Sequence, residues 1–425
     1  MIVTAMADRD VVLRSILSSA FSYSGQKCSA CSLLILEAEL YDDEVFLIQL
    51  KDAVTSLVVG SSWELSVQVG PLCRDIDANL KRAMQLESGE TWVVEPKLNP
   101  DNPRLMSPGV KRGVKPGSFF HQTECFGPIL GIMKAKSLDH AIQIANDTPY
   151  GLTAGLQSLD EREHQLWQEK IQAGNLYINR SMTGAIVNRQ PFGGIKESQF
   201  GSGFKAGGPH YLLGYLKAEQ ISMPTENGVL NLELKQLVSW FKRLDRGGVE
   251  EELLASSLKS YTYWAEYYRR IYDHAQLQGQ SNRCRYLVCK KIAFWFQTEC
   301  LSLDVFRLIG IQKLLKFKCI IGVNKSIATP KLIGNLLQEE DICFMKTSPD
   351  TFFNSPEYQM CHRLRYPLHV LSDKIAQHAN QPYKRIETGP ILASGHHELL
   401  RYLSEQTISI HTHRYGLTPG KGKAA

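Results

Sequence analysis

GQKCSAC, residues 25–31, stands between two stretches of opposite character. Before it, DRDVVLRSILSSAFSYSG (residues 8–25) carries apolar residues at helical spacing and ends at Gly25, a helix stop. After it, CSLLILEAEL (residues 31–40) holds a short apolar run suited to a buried parallel strand. A turn holding two cysteines is thus expected between a helix and a strand, and that helix–turn–strand alternation continues. VFLIQLKDAVTSLVVG (residues 45–60) reads as a helix with a turn at Gly60. GPILGIMKA (residues 127–135) and AGNLYINR (residues 173–180) read as strands, and LDHAIQIANDTPYGL (residues 138–152) as a helix broken at Pro149. Strands alternating with helices predict an α/β fold with a mostly parallel sheet covered on both faces.

The glycine-dense stretch QPFGGIKESQFGSGFKAGGPHYL (residues 190–212) is too rich in Gly for regular structure. SMPTENG (residues 222–228) has linker composition. The expected organisation is a lobe over 1–222, a linker over 223–229 and a smaller C-terminal α/β domain over 230–425. In that last part, NLELKQLVSWFKRL (231–244) and the aromatic-rich EELLASSLKSYTYWAEYYRRIYDHAQL (251–277) read as helices. FKCIIGV (317–323) and DICFMKT (341–347) read as strands, and SDKIAQHA (372–379) and HHELLRYLSEQT (396–407) as helices. Only the short GKGKAA tail is of low complexity.

Composition excludes several classes. A 43% hydrophobic and 21% charged content is ordinary for a globular chain of 425 residues. A net charge of +5 is too dilute to argue for nucleic acid or an anionic membrane, and LLKFKCIIGVNK (314–325) reads as a buried element with a basic rim. Ten irregularly spaced cysteines suit a reducing compartment, so a cytoplasmic location is expected. No apolar run reaches the roughly 18 residues of a membrane span, and MIVTAMADRDVV does not read as a signal peptide.

Cys28 and Cys31 admit several readings. Backbone N–H groups at a turn and the neighbouring Lys27 would give Cys28 a positive local potential, as a nucleophile needs. Cys28 to Cys31 is formally C-x-x-C, yet the βαβ start of a redox domain is missing around it. A zinc site would need a second ligand pair, and Cys284 with Cys289 is poorly spaced for one, so no metal is expected. Two buried, inert cysteines are the bland alternative.

Five motifs decide between these. SGQKCSA, ECFGPILGI roughly 100 residues later, TPYGLTAGL, GNLYIN and QPFGG follow in order. That order resembles the aldehyde dehydrogenase superfamily. NRSMTGAIVNRQPFGG (179–194) with KAGGPHYL (205–212) is similar to L-glutamate-γ-semialdehyde (1-pyrroline-5-carboxylate) dehydrogenases, above all those fused to proline dehydrogenase in proline utilization A. SYTYWAEYY, GQSNRCRYL and LSEQTISIHTHRYG are similar to the C-terminal extension of some of those long chains. The resemblance implies Cys28 as the nucleophile. It also implies Glu124 and Phe126 as contacts to an NAD cofactor. Lys27, Ser29, Gly184, Ala185 and Phe192 are implied as the pocket for the amino-acid end of an aldehyde substrate. HYLLGYLKAEQ (210–220) is implied as a returning oligomerisation strand in a homo-oligomer.

In that family a cofactor lobe precedes the cysteine. It carries dinucleotide-binding βαβ units, an oxyanion-hole asparagine and a general base in an E-[LT]-G-G motif. None of these is legible in the 425 residues, and Met1, Ile2 and Val3 resemble the strand that follows the E-[LT]-G-G motif. The expectation is therefore a dehydrogenase portion that is inactive or weak alone. Its partner would be a separately encoded N-terminal dehydrogenase or proline dehydrogenase portion. The alternative is a catalytically dead interaction or oligomerisation module.

Overall fold

The computed structural model describes residues 1–199, 203–243, 249–297, 302–327, 341–379 and 384–412, and the GKGKAA tail lies outside them. The strands, in chain order, begin with β1 Ile2–Val3, β2 Leu33–Glu37, β3 Thr91–Val94, β4 Gly109–Arg112, β5 Ile129–Ala135 and β6 Tyr150–Gly151. They continue with β7 Thr153–Gln157, β8 Asn175–Ile178, β9 Ile195–Lys196, β10 Tyr272–Asp273, β11 Gln280–Val288 and β12 Lys291–Phe296. The last are β13 Lys318–Asn324, β14 Ile342–Thr347, β15 Arg363–Tyr366, β16 Arg385–Thr388 and β17 Leu403–His411.

The large sheet has ten strands in the order β10-β11-β17-β8-β7-β1-β2-β5-β4-β3. From β17 through β4 every neighbouring pair is parallel. Strands β2 and β5 are buried on both faces, so they are largely apolar: β5 reads ILGIMKA with only Lys134 exposed. One face packs on the helices Leu138–Asn146 and Glu161–Lys170, with Trp167 fully buried. The other packs on Arg9–Phe21 and Glu44–Thr55. Both of the latter helices start on an aspartate that caps their first N–H groups, Asp8 and Asp43.

The second sheet is wholly parallel, in the order β14-β13-β12-β15-β16. Starting at its first strand and turning back, this is the doubly wound arrangement. The helices Leu232–Lys242, Val249–Arg269 and Ser302–Leu315 cover one face, where Phe241 meets Phe306 edge-on at 4.9 Å.

Three features differ from the sequence reading. The division near residue 225 is crossed by hydrogen bonding: β10, β11 and β17, all beyond residue 230, continue the sheet of the first lobe through β17–β8. HHELLRYLSEQT is helical only at Gly395–Glu398 and Leu399–Tyr402, and its last residues enter β17. HYLLGYLKAEQ forms a 3₁₀ turn at Tyr211–Tyr215 and pairs with no strand among the described residues, leaving Leu212, Tyr215 and Leu216 exposed. The expected linker lies outside regular elements but is tied down. Glu226 accepts hydrogen bonds from Ser260 Oγ (3.1 Å) and Trp264 Nε1 (2.9 Å) on the long helix.

No described helix is long and apolar enough to cross a membrane.

Candidate active site

Parallel strands bring their starts to the same edge of a sheet. Residues 28–31 precede β2, residues 124–128 precede β5, residues 148–152 enclose β6 and precede β7, and residues 172–174 precede β8. Four of the five motifs are thereby gathered at the amino ends of neighbouring strands. A cleft of about 410 Å³ opens there, lined by Cys28, Glu124, Phe126, Tyr150, Met182 and Glu197, among others.

The turn that carries Cys28 is built by unusual backbone. After the helix Arg9–Phe21, Tyr23, Ser24 and Gly25 all take positive φ (54°, 57° and 66°). Ser24 Oγ donates to Gly70 O at 2.7 Å and fixes this reversal. Gly25 is required twice, by its φ and by space: an added Cβ would stand 2.4 Å from Gly127 O. The GQKC and CFGP turns therefore touch backbone to backbone. Gln26 bridges them, with Nε2 donating to Phe126 O (3.2 Å) and Oε1 accepting from Cys73 N (2.8 Å).

Cys28 is exposed at the cleft, and Cys31 is buried with its thiol donating to Leu33 O at 3.3 Å. Among the described residues, none accepts a hydrogen bond from the Cys28 N–H. Glu124 is exposed, and its Oε1 accepts from Phe126 N at 2.8 Å. Phe126 is half-buried with φ 49°. Burial, then Glu197 and Glu124, raise the Tyr150 hydroxyl above its ordinary value. Burial, with Glu124 adding to it, pushes the Cys125 thiol up to about 12, which leaves that cysteine unreactive beside the exposed Cys28.

The remaining expected residues do not line the cleft. Lys27 Nζ sits over the Tyr23 ring, 4.0 Å from its centre, and Ser29 is buried. Gly184 (φ +83°) and Ala185 lie on an exposed loop two residues beyond Met182. Phe192 is half-buried and pairs with Ala206 through two backbone hydrogen bonds of 2.9 Å. No group of three or more His, Cys, Asp or Glu among the described residues could hold a metal.

Sequence reasoning missed several supports. Ser19, on the buried face of the first helix, accepts Cys31 N at its carbonyl (2.9 Å) and Met182 N at its hydroxyl (3.1 Å). It thus joins the cysteine turn to the loop before Gly184. Lys196 donates to Asn146 O (2.6 Å) and Thr148 O (3.1 Å) and holds the cleft wall at Tyr150. The one local signal was IKES directly after QPFGG.

Comparison with known proteins identifies the family. The model of the aldehyde dehydrogenase family matches residues 1–221. The chain is 38% identical to 1-pyrroline-5-carboxylate dehydrogenase of Geobacillus sp. (strain WCH70) over 224 residues, 52% of this chain and 42% of that one. It is 36% identical to the enzyme of that name from Bacillus subtilis (strain 168) over 219 residues, 51% of this chain and 42% of that one. The chain thus spans less than half the length of these curated relatives. The solved structure of proline utilization A from Corynebacterium freiburgense superposes with a TM-score of 0.79 at 34% identity, covering 98% of this chain and 38% of that one. The second sheet, outside the family match, is therefore part of a known architecture too. With more than half of its length matched, the chain belongs to the aldehyde dehydrogenase family.

Proposed function

We propose that this chain is the catalytic part of an NAD-dependent L-glutamate-γ-semialdehyde (1-pyrroline-5-carboxylate) dehydrogenase, with Cys28 as its nucleophile. The observation that carries the reading is the shared cleft. An exposed thiol, a carboxylate and an aromatic ring, each in its family motif, meet where two backbone turns touch.

Cys28 Sγ adds to the aldehyde carbon and forms a thiohemiacetal. The unengaged Cys28 N–H donates to the oxygen that becomes negative. Water then hydrolyses the thioester left after hydride departure and frees the carboxylic acid. NAD, when bound, supplies the hydride acceptor. Glu124 fits its ribose hydroxyls: one carboxylate oxygen is engaged by Phe126 N, and the other has no partner among the described residues. The Phe126 ring fits the nicotinamide end of the same molecule.

Lys27 and Ser29 supply a cation and a hydroxyl beside the nucleophile for the substrate carboxylate. The Gly184 and Ala185 N–H groups have no acceptor among the described residues and suit the amino-acid end. Phe192, outside the cleft lining, is assigned to the far wall of this amino-acid pocket. The 425 residues by themselves are inactive or weak. The missing oxyanion donor lowers the rate by about 10²–10³, the missing general base by about 10²–10⁴, and most of the cofactor pocket would come from another segment or chain.

Protection of Cys28 tests the substrate class. L-Glutamate is expected to slow alkylation of Cys28 by iodoacetamide, whereas valerate, which lacks the amino-acid end, is not. Equal rates with and without L-glutamate would refute the amino-acid pocket.

A further inference from the structure

The loop proposed to bind the amino-acid end has almost no apolar support. Ile186 and Val187 are 53% and 68% exposed, and a Cβ added at Gly184 would meet nothing within 4 Å. The first helix holds its start through Met182 N and Thr183 Oγ1, and Arg189 N and Gln190 N turn back on Ile186 O; two further polar holds reach it from outside. Ile186 N donates to Gln190 Oε1 at 3.2 Å, and Asn188 N donates to Gly207 O at 3.0 Å.

Both holds lead to the C-terminal strand pair. Gln190 is buried, and its Nε2 donates to Asn282 Oδ1 (2.8 Å) and to Ser409 Oγ (3.2 Å). Asn282 on β11 and Ser409 on β17 are register partners, and Ser409 Oγ donates to Asn282 Oδ1 at 2.7 Å. Arg180 Nη1 also donates to Ser409 Oγ, at 2.7 Å. The second hold ends on Glu405, whose carboxylate accepts Lys205 N and His210 Nδ1, both at 2.9 Å. Between these two, Thr407 Oγ1 donates to Pro191 O at 3.3 Å.

Glu405, Thr407 and Ser409 alternate along β17, so they share one face of the strand. Each grips a different point of residues 180–210. The opposite face serves the general core, where Ile408 packs among the residues of the first lobe. Arg180 Nε has no partner among the described residues, but Gln190, Asn282 and Ser409 engage one another, and buried hydrogen bonds of this kind fix a geometry that apolar packing alone does not.

We infer that the polar face of β17, acting through Asn282 and Gln190, positions the loop at residues 184–188 for the substrate's amino-acid end. The C-terminal segment then contributes to substrate recognition and not only to the sheet. Ser409, Asn282 and Gln190 are positioning residues: Gln190 touches the loop, and Ser409 and Asn282 hold Gln190. The inference rests on the proposed role of Gly184 and Ala185.

The test uses the full chain and two variants, Ser409→Ala and Gln190→Met, so that one remains if the other misfolds. Three quantities are read: the Kd for L-glutamate by titration calorimetry, amide hydrogen exchange over residues 184–190, and the alkylation rate of Cys28. Loss of one or two buried hydrogen bonds is expected to weaken L-glutamate by about tenfold. Exchange at 184–190 should accelerate, and Cys28 alkylation without ligand should stay unchanged. A general structural defect would instead move the Cys28 rate and the melting temperature together with the affinity, and that pattern overturns the inference. So does wild-type exchange and affinity in both variants. If the wild-type chain takes up no L-glutamate, the substrate assignment fails, and the exchange data alone decide whether β17 positions the loop.

Discussion

Gly25→Ala isolates the contact on which the whole site depends. The residue sits at φ +66°, where an L side chain costs about 1–2 kcal/mol. Its new Cβ would lie 2.4 Å from Gly127 O, 2.7 Å from Gly127 C and 3.0 Å from Ala20 O. All three are backbone atoms, so no side chain can rotate aside, and overpacking of this kind adds about 1–3 kcal/mol. The expected total is about 2–5 kcal/mol. Gly117→Ala is the control: its φ is +77° and nothing lies within 4 Å of the added Cβ, so only the conformational cost of about 1–2 kcal/mol applies. Urea unfolding of the two variants gives the difference, and iodoacetamide labelling reports whether the Cys28 turn has moved. Gly25→Ala should lose more stability than Gly117→Ala and change the Cys28 labelling rate. Equal losses with unchanged labelling would refute the backbone contact between the two motif turns.

Other outcomes follow from buried charge. Lys205 is fully buried near Glu405 and Cys284, and burial pushes its ammonium down to about 7. The unfolded chain then binds more protons than the folded one between about pH 7 and the ordinary lysine value. Stability attributable to this group should therefore rise with pH across that window, by at most about 1.4 kcal/mol per unit. Lys205→Met should flatten that rise in urea unfolding followed from pH 7 to 9; an unchanged slope would contradict it. Arg365 and Glu398 form a fully buried pair at 3.1 Å, with Tyr402 OH (2.9 Å) and Leu392 N (3.0 Å) also donating to Glu398. Glu398→Ala leaves the guanidinium unpaired and should cost about 3–5 kcal/mol. A loss below 1 kcal/mol, roughly a surface pair's worth, would contradict the pairing.

Much of the first lobe was legible because its signals are local. LLILE and ILGIMKA are apolar without alternation, as strands buried on both faces must be, and they became neighbours β2 and β5. Asp8 and Gly25 bracket the first helix and its turn in sequence as in structure. The cysteine, glutamate and phenylalanine that share the cleft were legible from motif order alone. What lay hidden depends on partners far along the chain. In LSEQTISIH only TISIH alternates polar and apolar residues; the polar run SEQT and the helical spacing of HHELLRY before it masked the strand. That β17 joins β8, more than two hundred residues earlier, is a matter of register that no local pattern encodes. Gln190 likewise looks like an ordinary loop amide until Asn282 and Ser409 are placed around it.

The most direct measurement is NADH formation from 1-pyrroline-5-carboxylate and NAD by the purified 425-residue chain. It is run alone and mixed with a separately expressed cofactor-binding lobe, each beside Cys28→Ala. The account predicts little or no NADH from the chain alone and Cys28-dependent NADH once the lobe is supplied. Turnover that survives Cys28→Ala, or full turnover by the chain without the lobe, would contradict it.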